Sequence, residues 1–299
     1  MIGFPGLSSI ALTRSVGFLL AGSLACTSTP ATANTTPTPP GPTETWDLVW
    51  SDEFSGPAGA SFDTTKWRPD TADGCSSGNC GWGNQEKEYY TTSAENIALD
   101  GSGHLQIVAR VAPAGLSCYY GPCRYTSAKI TTRGKATAAP GKIEARIRLP
   151  AGQGLWPAFW ALGSSFPGTP WPTCGELDIM ENKGSQPSTS SSAIHGPGYF
   201  GNTPFAHART LAAGTFGSDF HTFSVVWNSA SIRFFVDDAL HYAITRADIE
   251  ARGSWVFDQP FFLIMNLAVG GHFDGDPQTD AILPATMLVD YVRVYKAHE

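Results

Sequence analysis

The stretch KIEARIRL at Lys142–Leu149 alternates strictly, with Ile143, Ala145, Ile147 and Leu149 on one face and Glu144, Arg146 and Arg148 on the other. That period of two belongs to a strand with one face buried, and it constrains the fold more than any other local pattern. Further strand signals recur at short intervals from Trp46 onward. HTFSVVW (His221–Trp227) and SIRFFVD (Ser231–Asp237) flank NSA, three residues of hairpin-turn type. FFLIMNLAV (Phe261–Val269) is almost continuously apolar, as a strand covered on both faces should be, and MLVDYVRVY (Met287–Tyr295) closes the series. Helix signals are scarce, and ITRADIEAR (Ile244–Arg252) is the one segment expected to make a short helix. The chain has 299 residues, and its strand-bearing part, without internal repeats, implies one all-β sandwich of about 250 residues with curved antiparallel sheets and a concave face.

Composition narrows the classes. Aromatics reach 12%, charged residues only 15%, and there are 32 Gly and 22 Pro, which suits an extracellular β protein better than a helical cytosolic one. The net charge of −7 and the lack of any Lys/Arg run exclude a nucleic-acid footprint, and polyanionic substrates are not expected. Near the N-terminus, Arg14 precedes the apolar run VGFLLAGSLA (Val16–Ala25), too short to span a bilayer and of signal-peptide type. Two cleavage readings stand. ATA at Ala31–Ala33 is a small-x-small site, giving a signal peptide of residues 1–33. SLAC ending at Cys26 resembles a lipoprotein box, although Ser23 stands where Leu is usual, giving residues 1–25. The segment 26–45 is Thr/Pro-rich, with thirteen of twenty residues of those two types, and reads as an extended linker ahead of a domain at 46–299. The protein is therefore expected to be exported, either secreted or lipid-anchored through Cys26.

Cysteine spacing fits export. Cys75 and Cys80 lie in CSSGNC, and Cys118 and Cys123 in CYYGPC; two short-loop disulfides are expected, with a four-Cys zinc site as the rival reading. Cys174 is left unpaired.

The stretch GELDIMEN (Gly175–Asn182) carries the chemistry. Glu176 and Asp178 share a strand face, but Glu181 lies out of phase in a regular strand. A bulge within Ile179–Met180 would return it to the same face. The acids then behave as i, i+2 and i+4, a span of about 13 Å along the backbone. Two Glu side chains leaning together can close that to the ~5–5.5 Å of a retaining glycosidase pair, narrower than the gap an inverting enzyme keeps for water. Like charges on one face keep at least one acid protonated near neutrality, so one Glu can act as ionised nucleophile and the other as general acid, with Asp178 setting which is charged. A solvated acidic face and a calcium-binding cluster are the plainer alternatives. Aromatic and polar residues gather around the acids in sequence, as sugar binding requires. Trp156 and Trp160 lie four apart in GLWPAFWALG; GWGNQEKEYYT supplies Trp82, Asn84 and Glu86; His195 precedes a Gly/Pro loop in AIHGPGYFG.

Taken together, GELDIMEN with its E-x-D-x-x-E spacing, GWGNQEKEYYT, YTSAKITTRGK, GKIEARIRLPAGQGLWPAFWALG, IHGPGY, FFLIMNLAVGG and MLVDYVRVY resemble glycoside hydrolase family 16, in particular its bacterial endo-β-1,3-glucanases (laminarinases). The resemblance spans nearly all of Trp46–Tyr295. It implies a concanavalin A-like jelly roll with a cleft on the concave sheet, Glu176 as nucleophile, Asp178 as its assistant and Glu181 as acid/base. It implies sugar contacts from His195, Trp156, Trp160, Asn84 and Trp82. The substrate class implied is a laminarin-like β-glucan, cleaved in endo fashion with retention by a monomer. A calcium ion often found in the family would fall at Glu53, Gly101 and Asp290. Asp290 also looks isolated among apolar residues, sharing a face with Leu288, Val292 and Val294, where a carboxylate needs a metal, a cation or good hydrogen bonds; an ordinary ion pair is the alternative. Two departures are His272–Phe273 after the VGG run and the thiol at Cys174. The rival activities are a mixed-linkage β-1,3-1,4-glucanase, usually built on a shorter unbulged signature, and a glucan-recognition protein that binds without cleaving; relatives of the latter type lose the acids, and a calcium lectin is weaker still.

Overall fold

A computed structural model describes residues 44–298, so the expected signal segment, the Thr/Pro linker up to residue 43 and Cys26 lie outside the described residues. Two sheets form a sandwich. The first has seven strands in the order Phe205–Thr210, Thr189–His195, Glu176–Asn182, Leu155–Gly163, Phe261–Val269, Lys129–Thr131 and Arg68–Asp70, every pair antiparallel. The second has ten strands. Its main path runs Ala239–Thr245, Ser231–Val236, His221–Trp227, Lys142–Arg148, Ala285–Ala297, Leu105–Val111, Tyr125–Ser127 and Glu88–Tyr90, with Trp46–Asp52 and Ile97–Leu99 paired off that path. Non-sequential neighbours in both sheets give the crossed connections of a jelly roll. The last pair, Glu88–Tyr90 with Tyr125–Ser127, is parallel.

The alternating strand behaves as its pattern requires: Ile143, Ala145, Ile147 and Leu149 are buried between the sheets. Phe261–Val269 is buried at all nine positions. Phe261, Leu263, Met265, Leu267 and Val269 enter the main core, while Phe262 and Ile264 join Leu162 and Cys174 in a smaller cluster on the opposite face. The hairpin around residues 228–230 forms, and the one α-helix is Arg246–Glu250, started by a capping box between Thr245 and Asp248. Both expected disulfides are present, Cys75–Cys80 and Cys118–Cys123, which sets the zinc alternative aside.

One face assignment is corrected. Arg146 pairs with Tyr291 and Ile147 with Val289, so Asp290 occupies a bulge in the last strand. The bulge reverses the alternation there. Met287 and Val289 point into the core before it and Val292 and Val294 after it, and Asp290 is on the other side, half-exposed.

Candidate active site

The acid strand shows how its odd spacing is resolved. Toward the neighbouring Leu155–Gly163 strand, Phe159 pairs with Met180 and Trp160 with Asp178, leaving Ile179 as the extra residue. Toward Thr189–His195, Asp178 pairs with Ala193 and Glu181 with Ser191, so Ile179 and Met180 together oppose Ser192. Leu177, Ile179 and Met180 all fill the main core, and Glu176, Asp178 and Glu181 emerge on the opposite face. The cost of an apolar bulge is offset because both of its side chains are buried in the sandwich.

The row of residues beside each acid is defined by register. His195 lies opposite Glu176 and holds Nε2 at 3.8 Å from Glu176 Oε1 and 3.3 Å from Asp178 Oδ2. Ala158 lies opposite Glu181, its small side chain leaving room over the carboxylate. Trp156 Nε1 donates to Glu181 Oε1 at 3.1 Å. Three acids in a confined space cannot all be ionised. Burial and the neighbouring Asp178 charge push Glu176 up to about 8. Burial and the Glu176 charge push Glu181 up to about 7. Burial followed by Glu181 raises Asp178 well above the ordinary carboxylate range. Each of these neighbouring carboxylates raises the proton affinity of the cluster, so its protons are shared among the three acids rather than owned by one. His195 favours the charged form of both Glu176 and Glu181.

The two tryptophans differ in setting. Trp160 Nε1 donates to Asn266 Oδ1 (2.8 Å), Asn266 Nδ2 to the Tyr90 hydroxyl (3.1 Å), and that hydroxyl to Glu86 Oε2 (3.3 Å). Asn84 Nδ2 donates to the other Glu86 oxygen at 3.1 Å. A single hydrogen-bond chain thus ties Trp160 to Asn84. Lys129 Nζ lies 4.1 Å from the Trp82 ring centroid and 5.1 Å from that of Trp160. Burial raises Glu86 and, more strongly, Glu88, and it lowers Lys129. This end of the site rests on a loop stapled by Cys75–Cys80, with Trp82 and Gln85 both at positive φ. Such strain in non-glycine residues is typical of functional loops. Trp156 instead has one ring face covered: Phe273 stacks on it with centroids 4.5 Å apart. Asp274 fastens that departure loop by accepting from the backbone amides of Gly154 (2.9 Å) and Ser185 (3.0 Å). Beyond Phe273 a depression of about 210 Å³, lined by Glu181, Lys183, Gln186 and Ser191 among others, adjoins the last acid.

Sequence reasoning missed Trp171. It lies five residues before Glu176 in a Pro-rich turn and sets its ring 6.0 Å from His195 and edge-on to Phe200. Both aromatics are exposed, Trp171 by 41% and Phe200 by 45%, so they stand at the open edge of the site. Lys129 and Asn266 were likewise not singled out; only their register beside Ala158 reveals them. Cys174 is fully buried, and burial with the Glu176 charge raises its thiol to about 11.

The positions assigned to calcium lie elsewhere. Glu53 is held in a two-pronged pair by Arg293 (3.0 and 2.7 Å), Asp290 by Arg146, and Gly101 is packed against Ala58 at φ +81°. Both carboxylates are therefore already neutralised by guanidinium groups. Among the described residues, Glu176, Asp178 and His195 are the grouping of three ligating side chains close enough to share an ion, and they coincide with the acid cluster.

Comparison with known proteins bears directly on this geometry. The profile of "Glycosyl hydrolases family 16" matches residues 79–293. A beta-glucanase of Rhodothermus marinus is 41% identical over 84% of this chain and 85% of its own length. Glucan endo-1,3-beta-glucosidase A1 of Niallia circulans is 37% identical over 84% of this chain, which spans only 38% of that relative. The X-ray structure of the endo-beta-1,3-glucanase from Pyrococcus furiosus superposes with a TM-score of 0.81 at 42% identity, over 86% of this chain and 96% of the other.

Proposed function

The chain belongs to glycosyl hydrolase family 16, and on that premise we propose that it is an endo-acting β-1,3-glucanase that hydrolyses laminarin-like glucans with retention of configuration. The observation that supports this most strongly is the bulge at Ile179–Met180, which puts Glu181 on the same face as Glu176 and Asp178. Glu176, as carboxylate, attacks the anomeric carbon while Glu181 gives its proton to the departing glycosidic oxygen. The glycosyl-enzyme ester is then hydrolysed by a water whose proton returns to Glu181. Asp178, whose proton affinity burial and Glu181 raise well above the ordinary carboxylate range, stays protonated beside Glu176 and so adds no second negative charge next to the nucleophile. His195 lies across from Glu176 within ion-pair reach of it and of Asp178, and Trp171 flanks His195 at the open edge. Trp156 orients Glu181. Trp160, Trp82 and Asn84 supply sugar contacts on one side of the acids, and the depression beside Lys183 receives the leaving chain.

Hydrolysis of laminarin, lichenan and agarose by wild type and Glu176→Gln tests the reading. Laminarin should be cleaved fastest and the variant should be inactive. Faster cleavage of lichenan would make this a mixed-linkage enzyme, and binding without cleavage by wild type a recognition protein. NMR of the first products should show the β anomer; an initial α anomer would contradict retention.

We propose export on the sequence pattern of the first residues, as secretion or as lipid anchoring through Cys26. A Cys26→Ala protein that stays attached to cells would argue against the anchor. For calcium, the oxygen donors of Glu53, Gly101 and Asp290 are of the type that calcium takes, but Arg293 and Arg146 occupy the two carboxylates, so the arrangement described fits the ion poorly. An unchanged melting temperature on adding excess chelator is the expected result.

A further inference from the structure

The bulge that aligns the acids leaves main-chain groups outside the strand ladder, and the neighbouring strand answers with a run of serines, Ser190–Ser192. Ser192 is the residue that stands across from both bulge positions. It is 1% exposed, and its Oγ donates to the Ile179 carbonyl at 2.8 Å. Ser190 Oγ makes a longer bond, 3.3 Å, to the carbonyl of Glu181 itself. Ser192 Oγ is also 3.1 Å from Nε2 of His241. A hydroxyl has one proton, and a carbonyl can only accept. The Ser192 proton is therefore committed to Ile179, and His241 must donate through Nε2–H. His241 comes from Ala239–Thr245, at the far edge of the other sheet, so the bond crosses the sandwich. Its ring is neutral: burial, His207 and Arg209 press it down to about 4. His207 lies beside it and stacks on Tyr242 with centroids 5.5 Å apart.

We propose that Ser192, held by His241, is a positioning residue of the hydrolase: it clamps the Ile179 carbonyl and so fixes the bulge geometry that presents Glu181 to the glycosidic oxygen. This deepens the glucanase reading and rests on it. Neither residue touches substrate. Their effect passes through the backbone of the bulge, where a shift of about 1 Å at a catalytic group can cost ~100-fold.

The test separates Glu181 from everything else. In Ser192→Ala the Ile179 carbonyl and the His241 N–H both lose their partner, and Glu181 loses its fixed bearing. On laminarin, kcat should fall roughly ten- to a hundredfold with KM little changed. On an aryl laminaribioside with a dinitrophenolate leaving group, which departs without a proton, formation of the glycosyl-enzyme should stay within about threefold of wild type, because general-acid help is then superfluous. Ser192→Thr, which keeps the hydroxyl, should recover most of the loss on laminarin. His241→Phe should show the same pattern more weakly, and His241→Gln, which keeps a donor at that reach, should restore it; these two serve if Ser192→Ala does not fold. Equal losses on both substrates, or a lowered melting temperature with unchanged kinetics at 25 °C, would overturn the proposal. Wild type and Glu181→Gln run alongside: if neither shows the leaving-group dependence, the glucanase reading fails rather than this one.

Discussion

Glu181 is the residue at which several forces meet. Burial and Glu176 raise its proton affinity to about 7, while His195, the Trp156 indole and Lys183 pull it down. The proton that Glu181 donates in the proposed mechanism is therefore lost near neutrality, and kcat/KM should fall about tenfold per pH unit above pH ~7. Trp156→Phe keeps a ring on Phe273 but removes the N–H that favours the charged carboxylate. That variant should move the alkaline limb to higher pH and lower kcat several-fold; a limb that moves down, or stays, contradicts the role given to the indole. The three carboxylates were legible in the sequence because burying acids among Leu177, Ile179 and Met180 has few structural reasons. Trp171 was not, because a tryptophan in a turn looks like any other until the turn is folded back beside His195.

At the level of the strand, a single inserted residue sets both phase and chemistry. Deleting Ile179 leaves Glu176, Asp178 and Glu181 at a regular spacing of two, still on one face but without the twist a bulge imposes. The deletion variant should fold, lose much of its activity on laminarin, and shift its ratio of lichenan to laminarin activity upward. An unchanged ratio would show that the bulge has no part in linkage choice. The same device in the last strand explains where pattern reading failed. The bulge in GELDIMEN was visible because charged residues marked its phase. The one at Asp290 was not, since a lone Asp between Val289 and Tyr291 carries no second marker, and counting by twos put it beside Val292 and Val294. The short apolar strands and the capped helix were legible, because period and capping residues are local. The pairing order of seventeen strands was not, because register between distant segments depends on loops and on packing.

For the molecule as a whole, the acid cluster is a stability cost. Glu176 and Glu181 titrate well above the ordinary carboxylate value of 4.5 when folded. Between about pH 4.5 and 8 the native protein therefore holds protons that the unfolded chain has released, so stability is greatest at the acid end and declines as pH rises through that window. Each proton so held changes stability by up to about 1.4 kcal/mol per pH unit. With roughly 2–4 °C per kcal/mol for a domain of this size, the melting temperature should drop by on the order of ten degrees or more from pH 5 to pH 8. Glu176→Gln should flatten that slope and melt higher than wild type at pH 8; a steeper slope would place the protons elsewhere. The buried sulfhydryl of Cys174, two positions from Glu176, has a further use. Packed against Leu162, Phe262 and Ile264 and unreactive while closed, it can meet a thiol reagent only when that side of the sheet opens. In a Cys26→Ala protein its modification rate is thus a stopwatch on the breathing of the catalytic face, readable without any substrate. Occupancy of the cleft by an oligosaccharide should slow the clock.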